Sequence, residues 1–224
     1  MVDLATLPVL DKFSLIGAGC ARLPLRVDAE RIRAEVDALP AHLWGSRGGR
    51  GGVHDRAAAV WLRGHAPAER RDSIDEREPF AWLPTLRELV MSTIAAPPMR
   101  CLLARLPAGC SVPAHTDNGP YFARTLRLHV PVITSPAVAM FADGLVYHMQ
   151  PGEVWALNNS AIHGVLNDDP VQARTHMIVD FLPSDGLRDL LRSADRGLGL
   201  AVPGVDARFE AMHRAGPADE TGTA

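Results

Sequence analysis

Apolar and polar positions divide this chain into two styles. In residues 28–39, Ile32, Val36 and Leu39 recur at helical spacing, Asp28 stands where an N-cap belongs, and Pro40 stops the run. Residues 80–95 read as a second helix, with Leu83, Leu86, Leu89, Val90 and Ile94 on one side and Pro97-Pro98 as its end. Between the two lie a glycine-rich run at 45–52, a strand-like segment at 53–62 and a charged, proline-bounded stretch at 66–79. The glycine run reads as a flexible loop, and the charged stretch as a solvated loop and candidate lid. From residue 99 to 183 the chain becomes a series of short β-like runs, at 99–106, 126–133, 137–141, 145–150, 154–157, 162–166 and 174–182. Turn signals such as Pro107-Ala108-Gly109, Asp143-Gly144, Pro151-Gly152 and Asp168-Asp169-Pro170 separate them. Short strands at this spacing, with no helix between them, predict an antiparallel sandwich or barrel of the jelly-roll type.

The expected architecture is therefore mainly β. A helical and loop-rich region, 1–98, packs on a jelly-roll core at 99–183. C-terminal helices follow at 184–215, broken near 197–204, and 216–224 is expected to be a disordered tail. No internal repeat is visible.

Composition changes this picture little. A hydrophobic fraction of 47% and a charged fraction of 22% are ordinary for a globular domain. The net charge of -3 argues against a nucleic-acid partner, because phosphate binding needs a basic surface. The three cysteines, Cys20, Cys101 and Cys110, lack C-x-x-C spacing and fit buried free thiols. A Cys101–Cys110 hairpin pair is the alternative. Residues 1–12 show no signal-peptide pattern, and no apolar run approaches the ~20 residues of a membrane span, so the expected location is cytoplasmic.

Chemistry enters with His115-Thr116-Asp117. On an extended chain residues i and i+2 share a face, so His115 and Asp117 can offer an imidazole nitrogen and a carboxylate oxygen to one ion. His163 lies 48 residues downstream, after several strand-like runs, where a jelly roll has wound back to a neighbouring strand. Two histidines and one carboxylate on one face of an ion leave the opposite positions open, which suits non-haem Fe(II) rather than structural zinc. The bland reading of His163 is a hydrogen-bonded core histidine. Arg174 opens the next apolar run, and its guanidinium can clamp a carboxylate through two parallel hydrogen bonds. An oxo acid chelating iron at one end needs such a clamp at the other. A surface or salt-bridged arginine is the alternative.

Several ordered stretches resemble the aspartyl/asparaginyl β-hydroxylase family, which also includes bacterial proline hydroxylases. They are Pro107-Ala108-Gly109, Pro113-Ala114-His115-Thr116-Asp117, Arg127-Leu128-His129-Val130-Pro131-Val132, Met149-Gln150-Pro151-Gly152-Glu153-Val154-Trp155, Ser160-Ala161-Ile162-His163-Gly164-Val165-Leu166-Asn167 and Arg174-Thr175-His176-Met177-Ile178-Val179-Asp180. The resemblance implies a cupin-like double-stranded β-helix, Fe(II), 2-oxoglutarate as co-substrate and hydroxylation of an amino-acid side chain. It implies that His115 and His163 are iron ligands, that Arg174 binds the far carboxylate of 2-oxoglutarate, that His129 assists at the co-substrate and that Arg127 lies at or near the substrate. Vertebrate members lack a carboxylate at the place of Asp117, which favours the bacterial branch. They have serine at the place of Ala104, a contact that Arg105 is expected to replace at the substrate.

The reading is thus an Fe(II)/2-oxoglutarate dioxygenase acting on an amino acid or amino-acid residue, free, in a peptide or carrier-bound. A cupin-type metalloenzyme without an oxo acid and a non-catalytic small-molecule-binding barrel are the rivals. Arg127 shares a strand face with His129, so a buried guanidinium there needs a carboxylate partner. Either a carboxylate-bearing small molecule or peptide supplies it, or Asp180 does and the pair merely braces the barrel. Oligomeric state has no signature in the sequence.

Overall fold

The strand Leu126–Ile133 shows how the sequence makes the fold. Leu126, Leu128, Val130 and Val132 turn to one side and join an apolar core, while Arg127 and His129, between them, turn to the other and line a cavity. Its neighbour Arg174–Phe181 divides in the same way, with Met177, Val179 and Phe181 in the core and Arg174 and Ile178 on the cavity. Register follows from this division: His129 pairs with Ile178 and Arg127 with Asp180, so like faces meet like. Each fully buried Leu, Val or Phe contributes roughly 1.5–3 kcal/mol.

The structure is a computed structural model that describes residues 4–47, 49, 51–65, 74–205, 207–209 and 211. Its strands are β1 (Cys20–Arg26), β2 (Ser46–Arg47), β3 (Ala58–Arg63), β4 (Pro98–Leu106), β5 (Cys110–His115), β6 (Leu126–Ile133), β7 (Val138–Ala142), β8 (Leu145–Tyr147), β9 (Glu153–Leu157), β10 (His163–Asn167) and β11 (Arg174–Phe181). They form a seven-stranded sheet in the order β1-β9-β6-β11-β4-β3-β2 and a four-stranded sheet in the order β5-β10-β7-β8. All pairings are antiparallel, and the two sheets face each other as a double-stranded β-helix. The outer face of the larger sheet is covered by α2 (Ala29–Asp37), α3 (Pro84–Glu88) and α4 (Asp185–Arg192), through Ile32, Val36, Leu86, Leu187 and Leu191. Asp28 caps α2 as expected, its carboxylate accepting from Arg31 N at 3.0 Å. The outer face of the smaller sheet is covered by Val205 and Phe209.

The N-terminal region does more than pack on the barrel, because it contributes β1, β2 and β3 to the larger sheet. The helix expected at 80–95 is three short pieces instead: a 3-10 turn at Glu78–Trp82, α3, and a π turn at Leu89–Thr93. Pro84 is the cause, since the residue before a proline avoids the helical region, and Leu83 sits at φ -124°, ψ 59°. Its apolar face is nonetheless buried as the spacing requires. The strand expected at 53–62 begins only at Ala58, and that expected at 145–150 ends at Tyr147. Residues 66–73 of the expected lid, Gly48 and Arg50 of the glycine run, His213 and the expected tail at 216–224 lie outside the described residues. The three cysteines are free. Among the described residues no helix is long and apolar enough to cross a membrane.

Two details position the site. Gly164 follows His163 in β10, and a Cβ there would meet Val112 O at 2.9 Å, so glycine lets β10 approach β5. At the other end of β10 the buried Asn167 donates to the carbonyls of Leu106, Pro107 and Gln172 at 3.3, 2.9 and 2.9 Å and pins the strand's register.

Candidate active site

His115 ends β5 and His163 opens β10, and antiparallel pairing sets these two residues opposite each other. Asp117 follows two residues after His115 and is held by a backbone bond from its own N to Asn159 O at 2.9 Å. His115 Nδ1 lies 2.8 Å from Pro113 O and His163 Nδ1 lies 3.0 Å from Ala161 O. A carbonyl can only accept, so each Nδ1 carries the proton and each Nε2 keeps its lone pair. His115 Nε2 and His163 Nε2 both stand 3.9 Å from oxygens of Asp117, and the three donor atoms lie within 4.8 Å of one another. Two imidazole nitrogens and one carboxylate oxygen converging in this way fit a facial triad for non-haem iron. Burial, and then neighbouring His115, push the His163 pKa down to about 4, so no proton competes with the metal there at neutral pH.

The carboxylate of Asp117 has its own support. Arg127 Nη1 donates to Oδ2 at 2.5 Å and Asn159 Nδ2 donates to the same oxygen at 2.9 Å, leaving Oδ1 without a protein donor among the described residues. Lys12, buried at the start of α1 (Lys12–Ile16), donates in turn to Asn159 Oδ1. Burial raises the Asp117 pKa, but Arg127, His163, Asn159 and His115 outweigh it and hold the carboxyl well below the ordinary range. Desolvation pushes Lys12 down to about 8. Asn159 and Lys12 carried no sequence signal, being remote from Asp117 along the chain.

Arg127 also grips Asp180 through Nε and Nη2 at 2.8 and 3.1 Å. Burial lowers its pKa, but Asp180 and Asp117 more than reverse this. Two carboxylates already neutralise the guanidinium, so the reason to expect a substrate carboxylate at Arg127 falls away, and the bracing pair with Asp180 is what the structure contains.

A cavity of roughly 550 Å³ opens beside the triad. Arg174, the first residue of β11, reaches it from a position 3% exposed. Its Nη2 lies 2.7 Å from His176 Nδ1, its Nε has no partner, and no carboxylate pairs with it among the described residues. Burial alone pulls this guanidinium down to about 9. His129 lines the same space with neither ring nitrogen hydrogen-bonded among the described residues, and desolvation followed by Arg174 pushes it well below the usual histidine range. Buried donors facing a cavity without acceptors fit an acidic ligand such as 2-oxoglutarate.

Arg105 is not among the residues that line the cavity. Alternation on β4 sends Ala104 to the cavity and Arg105 to the opposite side, where its guanidinium stacks 3.7 Å over the Trp44 ring and Nε reaches Thr175 Oγ1 at 3.4 Å. Two cavity residues escaped sequence reasoning. His54 meets His115 edge-on at 5.1 Å, and nothing in the chain announces this, since a loop carries it. Arg100 shares a face of β4 with Leu102 and Ala104, so alternation from Ala104 reaches it.

A family model described as Aspartyl/Asparaginyl beta-hydroxylase matches residues 28–183. Among solved structures, the non-heme alpha ketoglutarate dependent carbocyclase SnoK from nogalamycin biosynthesis is 11% identical over 82% of this chain and 87% of its own, with a TM-score of 0.52. The epimerase SnoN from the same biosynthesis is 14% identical over 74% and 78%, with a TM-score of 0.49. HygX from Streptomyces hygroscopicus, solved with nickel and 2-oxoglutarate bound, is 13% identical over 78% and 85%, with a TM-score of 0.48. At this identity the likeness to SnoK speaks for the fold alone. No curated protein matches the chain.

Proposed function

The chain belongs to the aspartyl/asparaginyl β-hydroxylase family, an Fe(II)- and 2-oxoglutarate-dependent oxygenase family, and from that premise we propose that it hydroxylates a C–H bond of an amino acid or amino-acid residue. In this reading His115, Asp117 and His163 hold the iron, Arg174 receives the far carboxylate of 2-oxoglutarate, and His129 contacts the same co-substrate. The observation that carries it is Arg174, a buried guanidinium beside the triad that pairs with no carboxylate among the described residues. A cupin-type enzyme without an oxo acid has no use for such a group.

Iron(II) with 2-oxoglutarate and oxygen supplies, when bound, an oxidant able to attack an unactivated C–H bond while the oxo acid becomes succinate. The protein's own residues fix geometry. Pro113 and Ala161 carbonyls lock the two imidazoles, and Arg127 with Asn159 keeps Asp117 ionised and stationary. Leu102, Met140, Leu157, Val165 and Ile178 give the cavity an apolar wall that excludes water from the reacting centre.

The test is Fe(II)-dependent conversion of 2-oxoglutarate to succinate, with hydroxylated products sought among amino acids and peptides. Arg174→Ala should raise the 2-oxoglutarate requirement by ~30-fold or more, the cost of losing a buried charged partner, with iron affinity unchanged. Arg174→Lys should recover only part, because an ammonium lacks the planar fork. Unchanged dependence on 2-oxoglutarate in Arg174→Ala would sink the proposal.

A further inference from the structure

Among the described residues three guanidinium groups line the cavity, those of Arg100, Arg127 and Arg174, and they differ in what neutralises them. Arg127 has Asp180 and Asp117. Arg174 has the co-substrate's far carboxylate, on the reading proposed above. Arg100 has no ion pair among the described residues, although it is only 6% exposed and its Nε is buried without a hydrogen-bond partner. What surrounds it is aromatic: the guanidinium carbon lies 5.2 Å from the Trp61 ring centre, 5.3 Å from that of Tyr121 and 5.6 Å from that of Phe122. Tyr121 is held in place by accepting a hydrogen bond from Arg100 N at 3.2 Å. Ring faces make a buried cation tolerable but leave its charge and its N–H donors unanswered.

We infer that Arg100 is the substrate-binding residue, receiving a carboxylate of the amino-acid substrate on the cavity side of this aromatic box. The inference rests on the oxygenase reading and deepens it. Charge supports it independently of shape. Asp117 and Asp180 are both engaged by Arg127, and buried Lys12 behind Asn159 adds a further positive charge to the region, so the charge of Arg100 is unanswered among the described residues. An acidic group of the substrate is the partner such a guanidinium calls for. Position agrees, because Arg100 and Arg127 approach the same Phe122 ring, at 5.6 and 5.1 Å, and Arg127 touches the iron ligand Asp117. A substrate held by Arg100 is thus one ring and one side chain away from the metal. Arg100, rather than Arg127 or Arg105, becomes the residue that selects an acid.

The decisive measurement is anaerobic calorimetry on the protein loaded with Fe(II) and 2-oxoglutarate. The probes are free L-amino acids against their α-carboxamides, and the N-acetyl amides of Asp and Glu against those of Asn and Gln. In at least one of the two sets the carboxylate form should bind on the order of 30-fold better or more, and Arg100→Gln should erase that preference. Arg100→Lys, which keeps the charge without the fork, should retain part of it and serves where Arg100→Gln fails to fold. A wild-type protein that favours no carboxylate, or a preference that survives Arg100→Gln, overturns the assignment. Admitting oxygen to the same samples separates the two levels. Carboxylate binding through Arg100 without succinate would defeat the oxygenase reading and leave the site standing, whereas succinate with an indifferent Arg100→Gln would do the reverse.

Discussion

The two faces of the seven-stranded sheet are made by alternate residues of the same strands, both buried, and they obey different rules. On the helix side Leu128, Val130, Met177, Val179 and Phe181 meet α2, α3 and α4 as a continuous apolar layer. On the cavity side the same strands present Arg127, His129, Arg174, His176 and Asp180, equally hidden from water. The first face lowers the free energy of the folded chain. The second contains buried nitrogens without partners among the described residues, at His129, His176 and Arg174, each of which costs stability. Burial by itself therefore says nothing about whether a residue supports the fold or the reaction; the identity of the buried group decides.

The contrast can be pressed hardest at the triad. His115→Ala, Asp117→Ala and His163→Ala should each abolish turnover while the chain still folds, because the core does not depend on the ion; anaerobic Fe(II) titration reads the loss directly, and wild-type affinity in all three variants would remove them as ligands. The mirror experiment is Phe181→Ala on the helix face. It should cost about 3–5 kcal/mol in urea unfolding and leave turnover per folded molecule unchanged. Asp180→Asn probes where the contrast breaks down, since this cavity-side residue braces Arg127. Expected is a loss of about 3 kcal/mol, the lower end for removing one partner of a buried pair, because Asp117 still holds Arg127. A neutral result there would mean that the cavity face contributes nothing to stability.

The smallest effect concerns pH. His129 and His176 are pushed well below the usual 6.5, by desolvation first and Arg174 second. The folded protein keeps both neutral where the unfolded chain takes up protons, so below pH 6.5 the unfolded state binds more protons and stability falls as pH drops. The slope is at most about 1.4 kcal/mol per pH unit for each histidine. His129→Gln in metal-free protein should remove one histidine's share; an unaltered slope would show that His129 takes its proton in the folded state.

Much of this contrast was legible before the structure, because a period of two needs no tertiary information. β6 and the start of β11 fall where alternation predicts them, and with them the separation of Arg127 and His129 from Leu126 and Leu128. β5 was not among the predicted strands, since Pro113 and Ser111 interrupt its apolar pattern, although an extended chain at His115 was already required by the spacing of His115 and Asp117. β1 was hidden by Pro24, which the sheet tolerates because β1 lies at its edge. Arg100 could have been found from Ala104 by counting back along β4, and the same count puts Arg105 on the opposite face. His54, Asn159 and Lys12 could not, because loops and a long-range contact bring them to the metal site.

The pairing of β5 with β10 also has a consequence in time. During synthesis His115 and Asp117 emerge together, whereas His163 and the register-pinning Asn167 come a whole run of strands later. Until these long-range strands close, which is the slow step for a fold of distant contacts, the nascent chain offers iron two donors instead of three. A metal held that poorly does not stay. The three-donor site therefore exists only once this long-range topology has closed.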